Sequence, residues 1–445
     1  MCGGVYGWQR VAAAAVGLLL VAATLAGCGS NASEGVVLYV YAPVDGADQY
    51  AAAVAYCTRA AGGRYTLEPK TSARSTDDQR LQLARRLVAD DADLDIMLMD
   101  VIWTAEFARA GWIRPYPADL ARQMEQETLE GPYETGTYQG KLYAAPLNTN
   151  TQLLWYRKDL VPHPPKTWDE MIKMAEGLKA RGLPHYIEVQ GAQFEGLTVW
   201  FNTLITSAGG SILSENGDVL VARGDGARRA LGVMARVATS PAANPSLSVS
   251  EETDARLAME AGLAAFQVNY SFVHASMYTS GPDGGGDTFI DPLGRPTLQD
   301  TGRRVRDVFG WAAYPSVMPG KPATVTVGGL NLAVSTTSRH PREAFEAVQC
   351  LRNRKNQLRN AVEAGLPPTL RELYNAPPLR EDLVWQAILE SLTTASVRPK
   401  TPAYQSVSIV IADLLNPPAE INPDTVLRQL TDGISEAVNS EGVVP

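Results

Sequence analysis

Apolar runs and amphipathic stretches alternate from the start of the folded part of the chain. VVLYVYAP (36–43) is apolar and β-branched and predicts a buried strand. A helical segment around Asp48–Ala60 follows, then RYTLEPK as a second strand. DDQRLQLARRLVADD (77–91) places Leu81, Ala84, Leu87 and Val88 on one helical face. LDIMLMD (94–100) is again a short buried strand, and TAEFARAG (104–111) predicts a helix closed by Gly111. This alternation is the signature of an α/β fold with a parallel sheet. Ligands of such sheets sit beyond the carboxyl ends of the strands, where Asp45 and Asp100 fall.

The stretch KLYAAPLNTNTQLLWYRKDL (141–160) breaks the pattern. Five uncharged polar residues, Asn148 to Gln152, separate two segments that otherwise look like buried strands. The middle of the chain then turns helical. TWDEMIKMAEGLKARG opens with Thr167 and Glu170 as a capping box and ends at Gly182. TVWFNTLITSAGG (198–210) and ARLAMEAGLAAFQVNY (255–270) add further helix before a return to strand. Residues 280–302 hold six glycines and read as a surface loop. GWAAYPS and TVTVGGLNLAVS (324–335) regain strand character, and HPREAFEAVQCLRN (340–353) is a helix carrying Cys350.

The N-terminus is of another kind. Arg10 precedes VAAAAVGLLLVAATLA, an apolar run too short to span a bilayer comfortably and ending in small residues. Leu25-Ala26-Gly27-Cys28 resembles a bacterial lipobox, so 1–27 is expected to be a lipoprotein signal peptide, with Cys28 lipidated and 28–35 a flexible tether. An uncleaved anchor is the alternative. Cys2 leaves with the signal peptide, and Cys57 and Cys350 remain. In an oxidising compartment one disulfide is favoured over two buried thiols. Neither cysteine has a Cys or His neighbour at metal-ligand spacing, and the four histidines are scattered, so neither a metal site nor a cofactor is expected.

The 445 residues suffice for two or three domains. Removing residues 1–27 takes away one Arg and no acid, so the net charge goes from −9 to −10. An acidic exported chain argues against nucleic acid as a partner. Phosphate-binding, metalloprotease, nucleophile-elbow and C-x-x-C motifs are all missing.

The strand-borne Asp100, the capped TWDEM helix, V-G-G-L-N-L-A-V and V-R-P-K-T-P-A-Y-Q make the mature chain similar to the sugar-binding proteins of ABC importers. RLQLARRL, DVIWTAEFARAGW, KLYAAP, NTQLLWYR, WFNTL, SAGGS, GGLNLAV, AFEAV, VRP and YQ, in this order, resemble one branch. These are the LpqY-type trehalose-binding lipoproteins, which deliver trehalose to a mycobacterial ABC importer. The resemblance implies a two-lobe periplasmic-binding-protein-like fold (type II), each lobe a central sheet flanked by helices, hinged around an interlobe ligand cleft. It implies lobes of 36–148 with 310–353 and of 149–309 with 354–445, and a Cys57–Cys350 bridge. It also implies a non-enzymatic protein held on the extracytoplasmic face of the cell membrane, monomeric outside the transporter, with the permease subunits as partners.

For the site, the resemblance implies Asp45 and Asp100 as acceptors for glucose hydroxyls, Asn150 as donor and acceptor, and Glu252 as a further acceptor. Gly329 and Leu330 would offer close backbone approach, and Arg398 would span hydroxyls with its planar fork. Tyr270 departs from the branch, which has Trp there within N-W-P-F where this chain has Asn269-Tyr270-Ser271-Phe272. Tyrosine keeps an aromatic face for a sugar and adds a hydroxyl, over a smaller area. Structural readings compete: Asp45 as a turn residue, Asp100 as a helix cap, Glu252 as a helix N-terminal charge, Arg398 as an ion-pair partner. The rival function is an extracytoplasmic glycoside hydrolase using two of Asp45, Asp100 and Glu252.

Overall fold

The computed structural model describes residues 35–44, 47–73, 75–214, 217–279 and 308–440. The signal peptide, Cys28, Asp45 and the glycine-rich loop of 280–302 lie outside the described residues. Among the described residues, no helix is long and apolar enough to cross a membrane.

Two sheets form the frame. The first runs in the order β2 (Tyr65–Ser72), β1 (Val36–Pro43), β3 (Ile96–Asp100), β11 (Gly328–Val334), β6 (Ala144–Asn150). β1 is parallel to both β2 and β3, whereas β11 is antiparallel to both neighbours. The second sheet runs β10 (Phe309–Ala312), β7 (Gln152–Arg157), β9 (Ala264–Tyr270), β8 (Tyr186–Glu188). β4 (Thr137–Tyr138) and β5 (Lys141–Leu142) make a small hairpin.

The inner strands of both sheets are buried on both faces and so read as nearly continuous apolar runs, whereas the edge strand β2 exposes most of its residues. Alternate residues of the first sheet serve two cores. Leu38, Val40, Ile96, Leu98, Leu332 and Val334 pack with helices Ala47–Ala60 and Pro341–Leu351. Tyr41, Met97, Met99 and Ala333 pack instead with Leu83, Leu87, Trp103 and Phe107. In the second sheet Leu154, Phe266 and Val268 join Val407, Ile411, Leu430 and Ile434 from the last two helices. On its other face, Leu153 and Trp155 meet Leu373, Trp385 and Ile388.

Local signals act as the sequence suggests, with three exceptions, the first being the helix Thr76–Val88, which buries Leu83, Ala84 and Leu87 while Val88 is exposed. Gly111 and Gly182 end their helices with φ of 73° and 67°. The Thr167 side chain accepts from the Glu170 N–H at 3.1 Å, but the Glu170 carboxylate accepts from Lys166 N (2.7 Å), so the box is displaced by one residue on its return side. β10 pairs with β7, so Gly310–Ala312 belong to the second sheet rather than to the returning first-lobe segment. The chain recrosses only after β10. Cys57 and Cys350 form a disulfide, with Cα atoms 5.8 Å apart, that joins two helices covering one face of the first sheet.

Glu188, at the end of β8, is fully buried. Its Oε1 accepts from Asn244 Nδ2 (2.8 Å), and Oε2 has no partner among the described residues. Burial pushes the carboxyl up to about 7, Asp254 adds to the rise and the Asn244 bond opposes it. The folded pKa exceeds the unfolded one, so this group's contribution to stability is intact below pH 4.5 and is lost as pH rises through about 7. Glu188→Gln is expected to abolish that loss and to exceed the wild type at pH 8 by about 1–3 kcal/mol. Urea unfolding at pH 5 and 8 reads it; parallel pH slopes for the two proteins would show Glu188 is not the source.

Candidate functional site

The two sheets meet where β6 hands over to β7. Apart from half-buried Asn150 the polar run across this joint is buried, and its side chains bond to four separate segments. Asn148 Oδ1 accepts from Leu330 N (3.0 Å), and Thr149 Oγ1 donates to the Gly328 carbonyl (3.2 Å). Asn150 Oδ1 accepts from Ser271 Oγ (3.2 Å), Thr151 Oγ1 pairs with Ser391 Oγ (2.8 Å), and Gln152 Nε2 donates to Gln190 Oε1 (2.8 Å). Uncharged side chains satisfy this buried backbone and one another without the desolvation cost of charge. The second crossing lies alongside: Thr326 Oγ1 bonds Asn202 Nδ2 (2.9 Å) and Thr203 Oγ1 (2.8 Å), and Val325 and Val327 pair through backbone bonds with Ser396.

Around this joint the structure gathers seven of the eight nominated residues; the eighth, Asp45, lies outside the described residues. Asp100 closes β3 and caps the turn that follows it. Its Oδ1 accepts from Ile102 N (3.1 Å), capping the 3-10 turn Val101–Trp103, and also faces Arg398 Nη2 at 3.4 Å. Burial raises its pKa, while Arg398 and the Ile102 N–H oppose the rise.

Arg398 stands on an irregular segment and is only 5% exposed. Its Nη1 donates to Glu195 Oε1 at 2.5 Å, and Nε has no partner among the described residues. Burial works against the cation, but Asp100, Tyr404 and Glu195 more than offset it, so the guanidinium stays charged. It is thus an ion-pair partner and a fork of donors at once. Glu195 begins the helix Glu195–Ser207 and also accepts from Tyr404 Oη (2.7 Å) and from Ser408 Oγ. Burial raises its pKa, and Arg398, Ser408 and Tyr404 pull it back.

Glu252 is the first residue of helix Glu252–Glu260, just after the capping residue Glu251. It keeps part of its surface open, yet protein surrounds it on the remaining sides. That packing pushes its carboxyl up to about 7, its own backbone N–H opposing the rise and Glu251, Asp254 and Asp100 adding to it. Tyr270 ends β9 opposite Gln152. Its phenol is raised by burial first and then by the charge of Glu252; Asp100 and Glu195 act in the same sense and Arg398 against it. One aromatic ring therefore lies within electrostatic reach of four ionisable groups: Asp100 at the end of β3, Glu195 and Glu252 at the starts of helices, and Arg398 on an irregular segment.

Asn150 sits opposite Gly328, where a Cβ would stand 3.3 Å from that of Asn150 and 3.8 Å from the Tyr270 ring. Gly329 has φ of 132°, and a Cβ on it would lie 2.4 Å from the Asn148 carbonyl. Its close backbone approach is therefore toward β6. The Leu330 N–H is likewise engaged by Asn148, and Leu330 is the register partner of Asp100.

Glu195, Tyr404 and Ser408 were not singled out from the sequence. The only signal was that EGLTVWFNTLITS carries one charged residue at the head of an otherwise uncharged helix, buried nearly all round. Among the described residues there is no group of His, Cys, Asp and Glu that could hold a metal ion.

Comparison with known proteins agrees with this architecture. Residues 65–358 match the family model described as bacterial extracellular solute-binding protein. A probable ABC transporter-binding protein of Deinococcus radiodurans is 29% identical over 341 residues, 73% of this chain and 74% of that protein. Among solved structures, maltose-bound MalE3 of T. maritima superimposes with a TM-score of 0.78 at 25% identity, covering 90% of this chain and 100% of that one. A Thermotoga lettingae solute-binding protein bound with α-D-tagatose gives a TM-score of 0.75 at 20% identity, covering 91% and 100%.

Proposed function

The chain belongs to the bacterial extracellular solute-binding proteins, and from that premise we propose that it captures a disaccharide, trehalose foremost, between its lobes and delivers it to an ABC importer. The observation that carries this reading is the meeting, at the joint between the sheets, of the Asp100–Arg398 pair (3.4 Å) with Asn150 and the Tyr270 ring, which flank Gly328. Carboxylates, an amide and a guanidinium are the groups that pair with vicinal hydroxyls, and an aromatic face suits the C–H surface of a pyranose. A ligand that touches both lobes favours their closed arrangement, which is what a permease would recognise. The maltose in the similar T. maritima protein supports an α-linked glucose disaccharide. Tyr270, in place of the tryptophan of the resembling branch, makes the choice between trehalose and its isomers a property to measure.

In this reading Cys28 carries the lipid that holds the protein at the outer face of the membrane, and an unlipidated mature N-terminus in mass spectrometry would remove that part. Titration calorimetry with a disaccharide panel tests the rest. Trehalose is expected to bind and to be recovered intact. Glucose released by the purified protein would establish the hydrolase instead, and binding of no sugar in the panel would end the sugar reading.

Asp100→Ala and Asn150→Ala are each expected to weaken sugar binding by about 1–3 kcal/mol, because each leaves polar partners unmatched in a closed site. Wild-type affinity in both variants would mean that the sugar binds elsewhere.

A further inference from the structure

We propose that Glu195 is the positioning residue for Arg398: it sets the plane of the guanidinium so that a pair of Nη–H donors meets two adjacent oxygens of a bound sugar. The inference rests on the disaccharide reading above and adds to it a residue that makes no sugar contact.

Arg398 stands on a segment without regular structure, beside a water-sized cavity of about 10 Å³ lined in part by Ile102, Thr104, Thr135 and Lys400. Its Nε lacks a partner, as does the buried hydroxyl of Thr104 on the wall of the same cavity. Asp100 Oδ1 touches the other end at 3.4 Å but is shared with the Ile102 N–H. The short, buried contact is with Glu195 Oε1. A planar guanidinium held at one Nη has little freedom left about its Cζ–Nε bond.

Glu195 is itself fixed. Tyr404 Oη and Ser408 Oγ, both on helix Tyr404–Leu415, donate to its two oxygens, and Ser408 also bonds Thr198 Oγ1 (3.0 Å). The Tyr404 ring is packed in the first-sheet core with Met99 and Trp103, while Val407 and Ile411 of the same helix pack in the core of the second. The orientation of Arg398 is thereby referred to both lobes through one carboxylate.

The test uses Glu195→Gln, Arg398→Ala and the double variant, titrated with a sugar that the wild type binds. Glu195→Gln is expected to lower affinity about tenfold or more alone, and less than about twofold in the Arg398→Ala background, since a residue acting only through Arg398 has nothing to position once it is gone. Losses that multiply, or wild-type affinity in Glu195→Gln, overturn the proposal. Sugar-free NMR of the Arg398 guanidinium gives an independent reading: slow rotation about Cζ–Nε in the wild type and fast rotation in Glu195→Gln are expected, and equal rates overturn the positioning role. If no sugar binds the wild type, the disaccharide reading falls while the NMR comparison still decides the role of Glu195. Should Glu195→Gln not fold, Tyr404→Phe removes one of the bonds that hold Glu195 and is expected to shift both readouts the same way to a smaller extent; unchanged rotation and affinity there also overturn it.

Discussion

Arg398→Ala is expected to weaken sugar binding by about 2–3 kcal/mol, still within calorimetric reach, and to lower unfolding free energy by about 3–5 kcal/mol, the cost of stripping a buried charge of its partner. Glu195 would be left buried with only hydroxyl donors, and Asp100 with only the Ile102 N–H. Both carboxyls already have raised pKa values with Arg398 in place. Without the cation they rise further and take up protons on folding, so the deficit should be greatest at alkaline pH and shrink as pH falls. Denaturant unfolding at pH 5 and pH 8 measures this. A variant as stable as wild type at both values would mean that the ion pairs do not hold this joint.

Removing the disulfide by Cys57→Ala with Cys350→Ala should cost about 2–5 kcal/mol, at the upper end because the bridge closes a long loop. The sequence separation is 293 residues. Both helices it joins cover one face of the first sheet, so the bridge restrains a lobe and not the hinge. Sugar affinity at a temperature where the variant is folded should therefore stay within about threefold of wild type, since sites without shared partners act independently. Thermal unfolding and calorimetry together check it. An affinity loss as large as the stability loss would show that the bridge also fixes the relation between lobes.

The parallel part of the first sheet was legible because strands buried on both faces have no polar side to confuse the pattern: VVLYVYAP and LDIMLMD could be little else. What periodicity lacks is an address. GWAA has the apolar character of either sheet, and nothing in it says that β10 pairs with Trp155 rather than joining β11. The site was legible in part. Asp100 and Arg398, each expected at the site, come together across 298 residues. Glu195 escaped because its partners lie 203 and 209 residues away, and a lone acid at the head of a helix reads as a cap. Gly329 was read for its openness to a ligand, when the Asn148 carbonyl beside it already demands glycine. Asn148, to which the sequence assigns no role, fastens β11 to the crossing together with Thr149.

β11 has one more consequence. It lies between β3 and β6, antiparallel to both, so two strands made early in synthesis have no direct ladder with each other and meet only through a third made much later. A nascent chain that stops short of Val334 cannot close its first sheet, and β6 then presents unsatisfied backbone along a whole edge. Pairings of such long sequence separation form slowly. In a chain of an extracellular family, the first sheet is therefore expected to close only once Val334 has been made, late in synthesis.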